Sequence, residues 1–162
     1  MNGDNRLYQI LEQLGITFDY YEHPPAPTIE KAILYWKNIN AAHCKNLFFR
    51  NHKGNKHYLV ILDHRQQLDV HDLEKRLKQG KISFASEQRM LKYLGITPGS
   101  VSPFGLINDS EHHVHLFIDE NLKKAQHISF HPNINTASLV LKFSDFIKYL
   151  EHTGNSYEFL PL

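Results

Sequence analysis

"KHYLVILDH", residues 56–64, carries five consecutive apolar residues from Tyr58 to Leu62. A strand with one wet face alternates apolar and polar residues, so an unbroken apolar run of this length reads as a strand buried on both faces. Just before it, "CKNLFFRN" (44–51) is a second strand candidate, joined to the first by the turn "HKGN" (52–55).

Working outward towards the N-terminus, "IEKAILYWKNI" (29–39) reads as a helix capped by Thr28, with Ile29, Ala32, Ile33 and Trp36 facing inward. "ITFDYYEH" (16–23) reads as a strand ended by "PPAP". Before it, Asp4 caps a helix whose Leu7, Ile10, Leu11 and Leu14 form one stripe, stopped by Gly15. Towards the C-terminus, Asp69 caps "VHDLEKRLKQG", "ISFA" (82–85) is a short strand, and Ser86 caps "EQRMLKYLG". "FGLIND" (104–109), "HHVHLFID", "HISFH" and "TASLVLKF" are further strand candidates, and Ser144 caps a last helix, "DFIKYLEH". Strands outnumber helices, and several neighbours have hairpin spacing. The expected fold is α+β: a single domain over residues 1–162, with a mixed, largely antiparallel sheet and surrounding helices.

The composition is that of a globular protein, 41% hydrophobic and 22% charged, with a formal net charge of +1. A nucleic-acid partner must then be held by a local patch, because the global field is weak. Lysines and arginines thicken in "EKRLKQGK" (74–81), in "EQRMLKYL" (87–94) and at Lys123 and Lys124. Each cluster reads either as a solvated helix face or as part of such a patch. No apolar run approaches the roughly 20 residues needed to cross a bilayer. The polar start, "MNGDNRLYQI", lacks a signal peptide's apolar core, and the single cysteine, Cys44, excludes an internal disulfide. A cytoplasmic location is expected, with no membrane partner.

The stretch "ITPGSVSPFGLIND" (96–109) concentrates special residues: Pro98, Gly99, Ser100, Ser102 and Pro103. A nucleophile elbow needs serine in the middle of Gly-x-Ser-x-Gly, whereas here serines flank the middle and the last glycine is a proline. A Walker phosphate loop needs a following Gly-Lys-Ser/Thr, which is absent. What remains is either a plain connection or a rigid loop whose amide N–H groups are exposed to a ligand. Gly99 lets a ligand approach the backbone, and Pro98 and Pro103 restrict the ends. Such amides suit a carbonyl oxygen that becomes an oxyanion during attack on an ester.

Two other stretches add to this loop: Lys45 and Asn46 in "HCKNLFFRN", and Phe130-His131-Pro132 in "SFHPNINTA". With "EHPPAPT", "LDHRQQLD" and "GSVSPFGLIND", in this order over nearly the whole chain, they resemble the prolyl-tRNA editing family, the YbaK/ProX-type or INS-like domain. The combination of "KNLF", Gly-x-x-x-Pro-Phe and "FHP" is specific, although each alone is weak. The resemblance implies hydrolysis of a wrong amino acid from the 3′ end of proline tRNA. It implies that Lys45 and Gly99 are catalytic, with Lys45 engaging the terminal ribose-phosphate region beside the polar Asn46. The loop Gly99, Ser100, Val101, Ser102 and Pro103 would hold the aminoacyl carbonyl and terminal ribose, and His131 would line the amino-acid pocket. A ribose hydroxyl of the tRNA would help to activate water, so no protein nucleophile, cofactor or metal is expected. Ile29, Leu47 and Phe130 are candidate pocket walls, or ordinary core residues.

The chain resembles the free-standing, alanine-specific branch most, which makes alanine on proline tRNA the expected substrate and a prolyl-tRNA synthetase a second partner; DNA is not expected. Cysteinyl-tRNA(Pro) hydrolysis and a non-catalytic tRNA- or synthetase-binding module of the same fold are the alternatives. A third reading is hydrolysis of some small ester or amide. Cys44 departs from the family pattern, in which free-standing members often carry a hydroxyl residue before the lysine. Twelve histidines are many, yet neither His113/His115 nor His127/His131 comes with a third ligand at metal-site spacing. His23, His52, His57 and His64 fall at strand ends or turns, where an exposed histidine is unremarkable.

Overall fold

The computed structural model describes residues 1–26 and 28–162. "KHYLVILDH" forms strand β3 (His57–Asp63), in which every residue from His57 to Leu62 is buried. Its two faces feed two different cores. Leu59 and Ile61 pack with Leu7, Leu11, Leu94, Phe104 and Tyr149 on one side; Tyr58, Val60 and Leu62 pack with Phe49, Leu73, Ile82 and Phe117 on the other. That double cover is why the run could be apolar throughout.

β3 is flanked by β2 (Ala42–Arg50), antiparallel, and by β5 (Val114–Asp119), parallel. With β1 (Asp19–Glu22), β4 (Ser83–Phe84), β6 (His127–Phe130), β7 (Ala137–Lys142) and β8 (Tyr157–Leu160), they make an eight-stranded sheet. Its order is β1-β7-β6-β2-β3-β5-β8, with β4 paired to β2 outside that path. Four ladders are antiparallel (β1·β7, β2·β3, β2·β4, β6·β7) and three parallel (β2·β6, β3·β5, β5·β8). The fold is α+β with a mixed sheet, as the sequence implied.

The helices are α1 (Asn5–Gln13), α2 (Ile29–Trp36), α3 (Val70–Leu77), α4 (Glu87–Leu94) and α5 (Phe143–Thr153). Asp4, Thr28, Asp69 and Ser86 cap the first four by accepting from amides in the first turn. Four expectations are corrected. Ser144 is not the last cap: β7 runs straight into α5, Lys142 stands at the N-cap, and the Phe143 amide is satisfied by Gln126 O at 2.9 Å. "FGLIND" is no strand but part of a 3₁₀ helix, Pro103–Asn108. Ile33 points outward at 39% exposed, since α2 buries only Ala32 and Trp36 fully. Besides these corrections, β8 is an addition that no expectation covered, its Tyr-Glu-Phe-Leu run being too short to announce itself.

The fourth correction concerns His57, which is buried, not exposed. Arg89 Nη1 lies 3.1 Å from its Nε2, and its Nδ1 lies 2.9 Å from His113 Nε2. Arginine can only donate, so His57 Nε2 accepts and the proton sits on Nδ1, donated to His113. Burial, then His113 and the cations Arg89, Arg50 and Lys92, press its pKa down to about 4 from 6.5. The unfolded chain therefore binds a proton here between pH 6.5 and 4 that the folded chain refuses, and stability falls as pH drops through that window. At ~1.4 kcal/mol per pKa unit the loss is on the order of 3 kcal/mol. Urea unfolding should show this decline, and His57→Gln, with no proton to gain, should show a shallower one; identical slopes would refute the assignment.

Candidate active site

The site begins with an interruption in β2. On one edge β2 is paired continuously to β3, from Cys44↔Asp63 to Arg50↔His57. On its other edge, β6 covers only Ala42 and His43, and β4 covers only Phe49 and Arg50. His43 O accepts from His64 N at 2.9 Å, so the odd-numbered residues turn their peptide groups to β3. Phe48 O accepts from Ala85 N at 2.9 Å, so the even-numbered ones turn theirs to the other edge. Asn46 lies in the gap, and its N–H and C=O face the open edge.

A cavity of about 230 Å³ occupies that gap. It is lined by Cys44, Lys45, Asn46 and Leu47 from β2, by Ile29, Ala32 and Trp36 from one face of α2, by Ala26 and Thr28 ahead of that helix, and by Gly99, Val101 and His131. Lys45, Gly99 and His131, distant in sequence, thus meet at one place, and Asn46, Val101, Ile29 and Leu47 line it with them. Phe130 does not: it is 3% exposed and packs its ring against Phe104 and Phe146 in the core. Ser100, Ser102 and Pro103 are also buried and absent from the lining.

The loop's chemistry explains its composition. Ser100 N donates to Thr97 O at 3.2 Å, with Pro98 second and Gly99 third in the turn at φ 86°. That is the pattern of a type II β-turn, whose third position requires a positive φ and so glycine. Ser102 caps the 3₁₀ helix by accepting from Phe104 N at 3.1 Å, and Pro103 opens it. Ser-Pro is therefore a helix-start signal here, which the strand reading of "FGLIND" missed. Tyr149, fully buried on α5, donates to Pro103 O at 2.9 Å and ties the loop to the core. The Ser100 amide is spent on the turn, whereas Gly99 and Val101 on either side of it line the cavity.

Lys45 is the one charged side chain among the described residues lining the cavity. Its Nζ donates to the carbonyl of Gln66, just after β3, an anchor that sequence reading did not supply. Asn46 Oδ1 is buried without a partner among the described residues, an acceptor that a ligand N–H or O–H would satisfy. His131 Nδ1 lies 2.7 Å from Ala137 O, and a carbonyl only accepts, so Nδ1 carries the proton and Nε2 the lone pair. Burial lowers the His131 pKa, the Ala137 carbonyl partly opposes this, and His23 adds to the lowering. The ring is neutral at pH 7. Among the described residues no three His, Cys, Asp or Glu side chains converge as a metal-binding group, and no helix is long and apolar enough to cross a membrane.

The cavity thus brings one tethered lysine and one neutral histidine to the turn at Gly99. Among known proteins, residues 23–149 match the model of the aminoacyl-tRNA editing domain. The chain belongs to that family and is by class an aminoacyl-tRNA deacylase. It is 39% identical over 163 residues to the prolyl-tRNA editing protein ProX of Acetoanaerobium sticklandii, covering 100% of this chain and 99% of that one. It is 32% identical over 153 residues to the prolyl-tRNA synthetase associated domain-containing protein 1 of Bos taurus, covering 92% and 89%. A crystal structure of a candidate trans-editing enzyme for prolyl-tRNA synthetase shares the fold, with a TM-score of 0.70 at 22% identity over 99% of this chain and 98% of that one.

Cys44 lines this cavity but is 5% exposed, and burial pushes its thiol well above the usual range. Only the thiolate is a good nucleophile. At pH 7.5 a maleimide should label folded protein far more slowly than urea-unfolded protein, and Cys44→Ser should keep most activity. Labelling at the unfolded rate would show the thiol to be accessible.

Proposed function

We propose that this chain removes alanine from mischarged proline tRNA, acting in trans to a prolyl-tRNA synthetase. The observation that carries this reading is the meeting of Lys45, the Gly99 turn and His131 around one small cavity walled by Ile29, Ala32, Trp36, Leu47 and Val101. A synthetase pocket built for proline cannot strongly reject a smaller amino acid, because missing methylenes change binding by only about 1–3 kcal/mol. A second, rigid pocket sorts in the opposite direction, admitting alanine and clashing with the proline ring.

In this mechanism the aminoacyl ester lies with its carbonyl oxygen towards the amides of Gly99 and Val101. Water attacks the carbonyl carbon, and a hydroxyl of the terminal ribose relays its proton. The C–O bond to the ribose breaks, the ribose oxygen takes the proton, and free alanine leaves. The loop amides hold the oxyanion, a type of contact worth roughly 3–4 kcal/mol at the transition state. Lys45, held by Gln66 O, meets the negative charge of the terminal ribose-phosphate. Asn46 Oδ1 accepts from the substrate's α-ammonium, which relieves its unpaired burial. Neutral His131 fills the side of the amino-acid pocket without introducing charge.

A deacylation panel on tRNA(Pro) charged separately with alanine, cysteine, serine and proline tests this. Alanine should be released fastest and proline spared. Lys45→Ala should lose most turnover, and His131→Ala, by widening the pocket, should let some prolyl-tRNA be cleaved. Faster release of cysteine than of alanine would overturn the specificity. Wild-type rates in Lys45→Ala would overturn the role given to that lysine.

A further inference from the structure

A second group of cations stands outside the cavity. A methyl placed on Gly54 would lie 2.9 Å from Arg89 Nη2 and 3.4 Å from Arg50 Nη2, so both guanidinium groups reach the same point. Beside it is a hollow of about 320 Å³ lined by Gly54, Ser86, Gln88, Arg89, Lys92 and Tyr93. Arg50 is held by the carbonyls of Asn51 and His52, and Arg89 by the Gly54 carbonyl and His57. These neutral acceptors fix the guanidinium groups and leave their charge uncompensated. None of the ion pairs among the described residues includes Arg50, Arg89 or Lys92. Lys92 Nζ lies 5.2 Å from the centre of the Tyr93 ring, which stacks on His113 at 4.5 Å.

Two anchored guanidinium groups that meet at Gly54, with Lys92 beside them on the polar hollow, are the makings of an anion site. We propose that Arg50, Arg89 and Lys92 grip a backbone phosphate of the tRNA acceptor stem. The inference rests on the deacylase reading above, because the path between the two sites selects the ligand. Arg50 stands five residues from Lys45 on β2, about 16 Å at ~3.3 Å per residue, and faces the other side of the strand, the side on which α4 packs. α4, which carries Arg89 and Lys92, leads through Gly95 into the turn at Gly99. One rigid frame therefore holds both sites at a fixed separation. The ligand that engages both is an extended polyanion whose end lies in the cavity, and the acceptor strand has that form.

The test is the affinity of the full chain for uncharged proline tRNA as a function of salt. Removing one cation that neutralises a phosphate should reduce the salt slope by about one. Lys92→Gln and Arg89→Gln should weaken binding about three- to tenfold at low salt and flatten the slope, while Lys148→Gln, on α5, should bind as the wild type does. Arg89→Gln also loses the Gly54 bond, so Lys92→Gln, which has no such bond to lose, decides if the former unfolds. Wild-type affinity and slope in Lys92→Gln would overturn the proposal, even where the wild type deacylates normally. A wild type that binds tRNA through Lys92 yet releases no amino acid would instead overturn the hydrolytic reading and leave this site standing.

Discussion

One unpaired strand edge organises the molecule. β2 must satisfy two partners on the same side, β6 at its start and β4 at its end, and between them its peptide groups have no strand to meet. An open edge inside a sheet is costly unless something else supplies hydrogen bonds, because unpaired buried peptide groups are penalised. Here the gap is left as a cavity, and α2, the Gly99 turn and His131 are arranged around it. The continuous ladder with β3 on the opposite edge keeps the interruption from becoming a break.

That arrangement divides the labour between the two cores. The larger core, under Leu59 and Ile61, includes Phe104 and Tyr149 and so anchors the loop that carries Gly99. The smaller, under Val60 and Leu62, includes Phe49 and Leu73 and backs the face from which Lys45 and Leu47 project. Loop and lysine are each fixed to a different core, with β3 common to both. Their relative position is then a property of the sheet and not of any flexible segment.

Much of this was legible in the residues. β3 declared itself because five apolar residues in a row have no other economical use, and four caps declared themselves because Asp4, Thr28, Asp69 and Ser86 each preceded an apolar stripe. Phe130 was misplaced because adjacency to His131 says nothing about direction: successive strand residues face opposite ways. His57 was misjudged because its partners, Arg89 and His113, are distant in sequence. The gap in β2 could not be read at all, since it depends on where β6 stops and β4 begins. The Gln66 carbonyl escaped notice for a related reason: a main-chain acceptor carries no residue signature.

The Pro98–Gly99 turn has a consequence for how such a protein changes over time. In the mechanism proposed above its donors are peptide N–H groups, and a peptide N–H is encoded by a backbone shape and not by any one side chain. Selection on the chemistry therefore falls on the few residues that permit the shape, Gly99 above all, and leaves Ser100 and Val101 comparatively free to drift. A lineage can replace most of its surface and core while the reactive geometry is inherited intact. In such a site the glycine is the heritable unit of function, although it contributes no reacting atom of its own side chain.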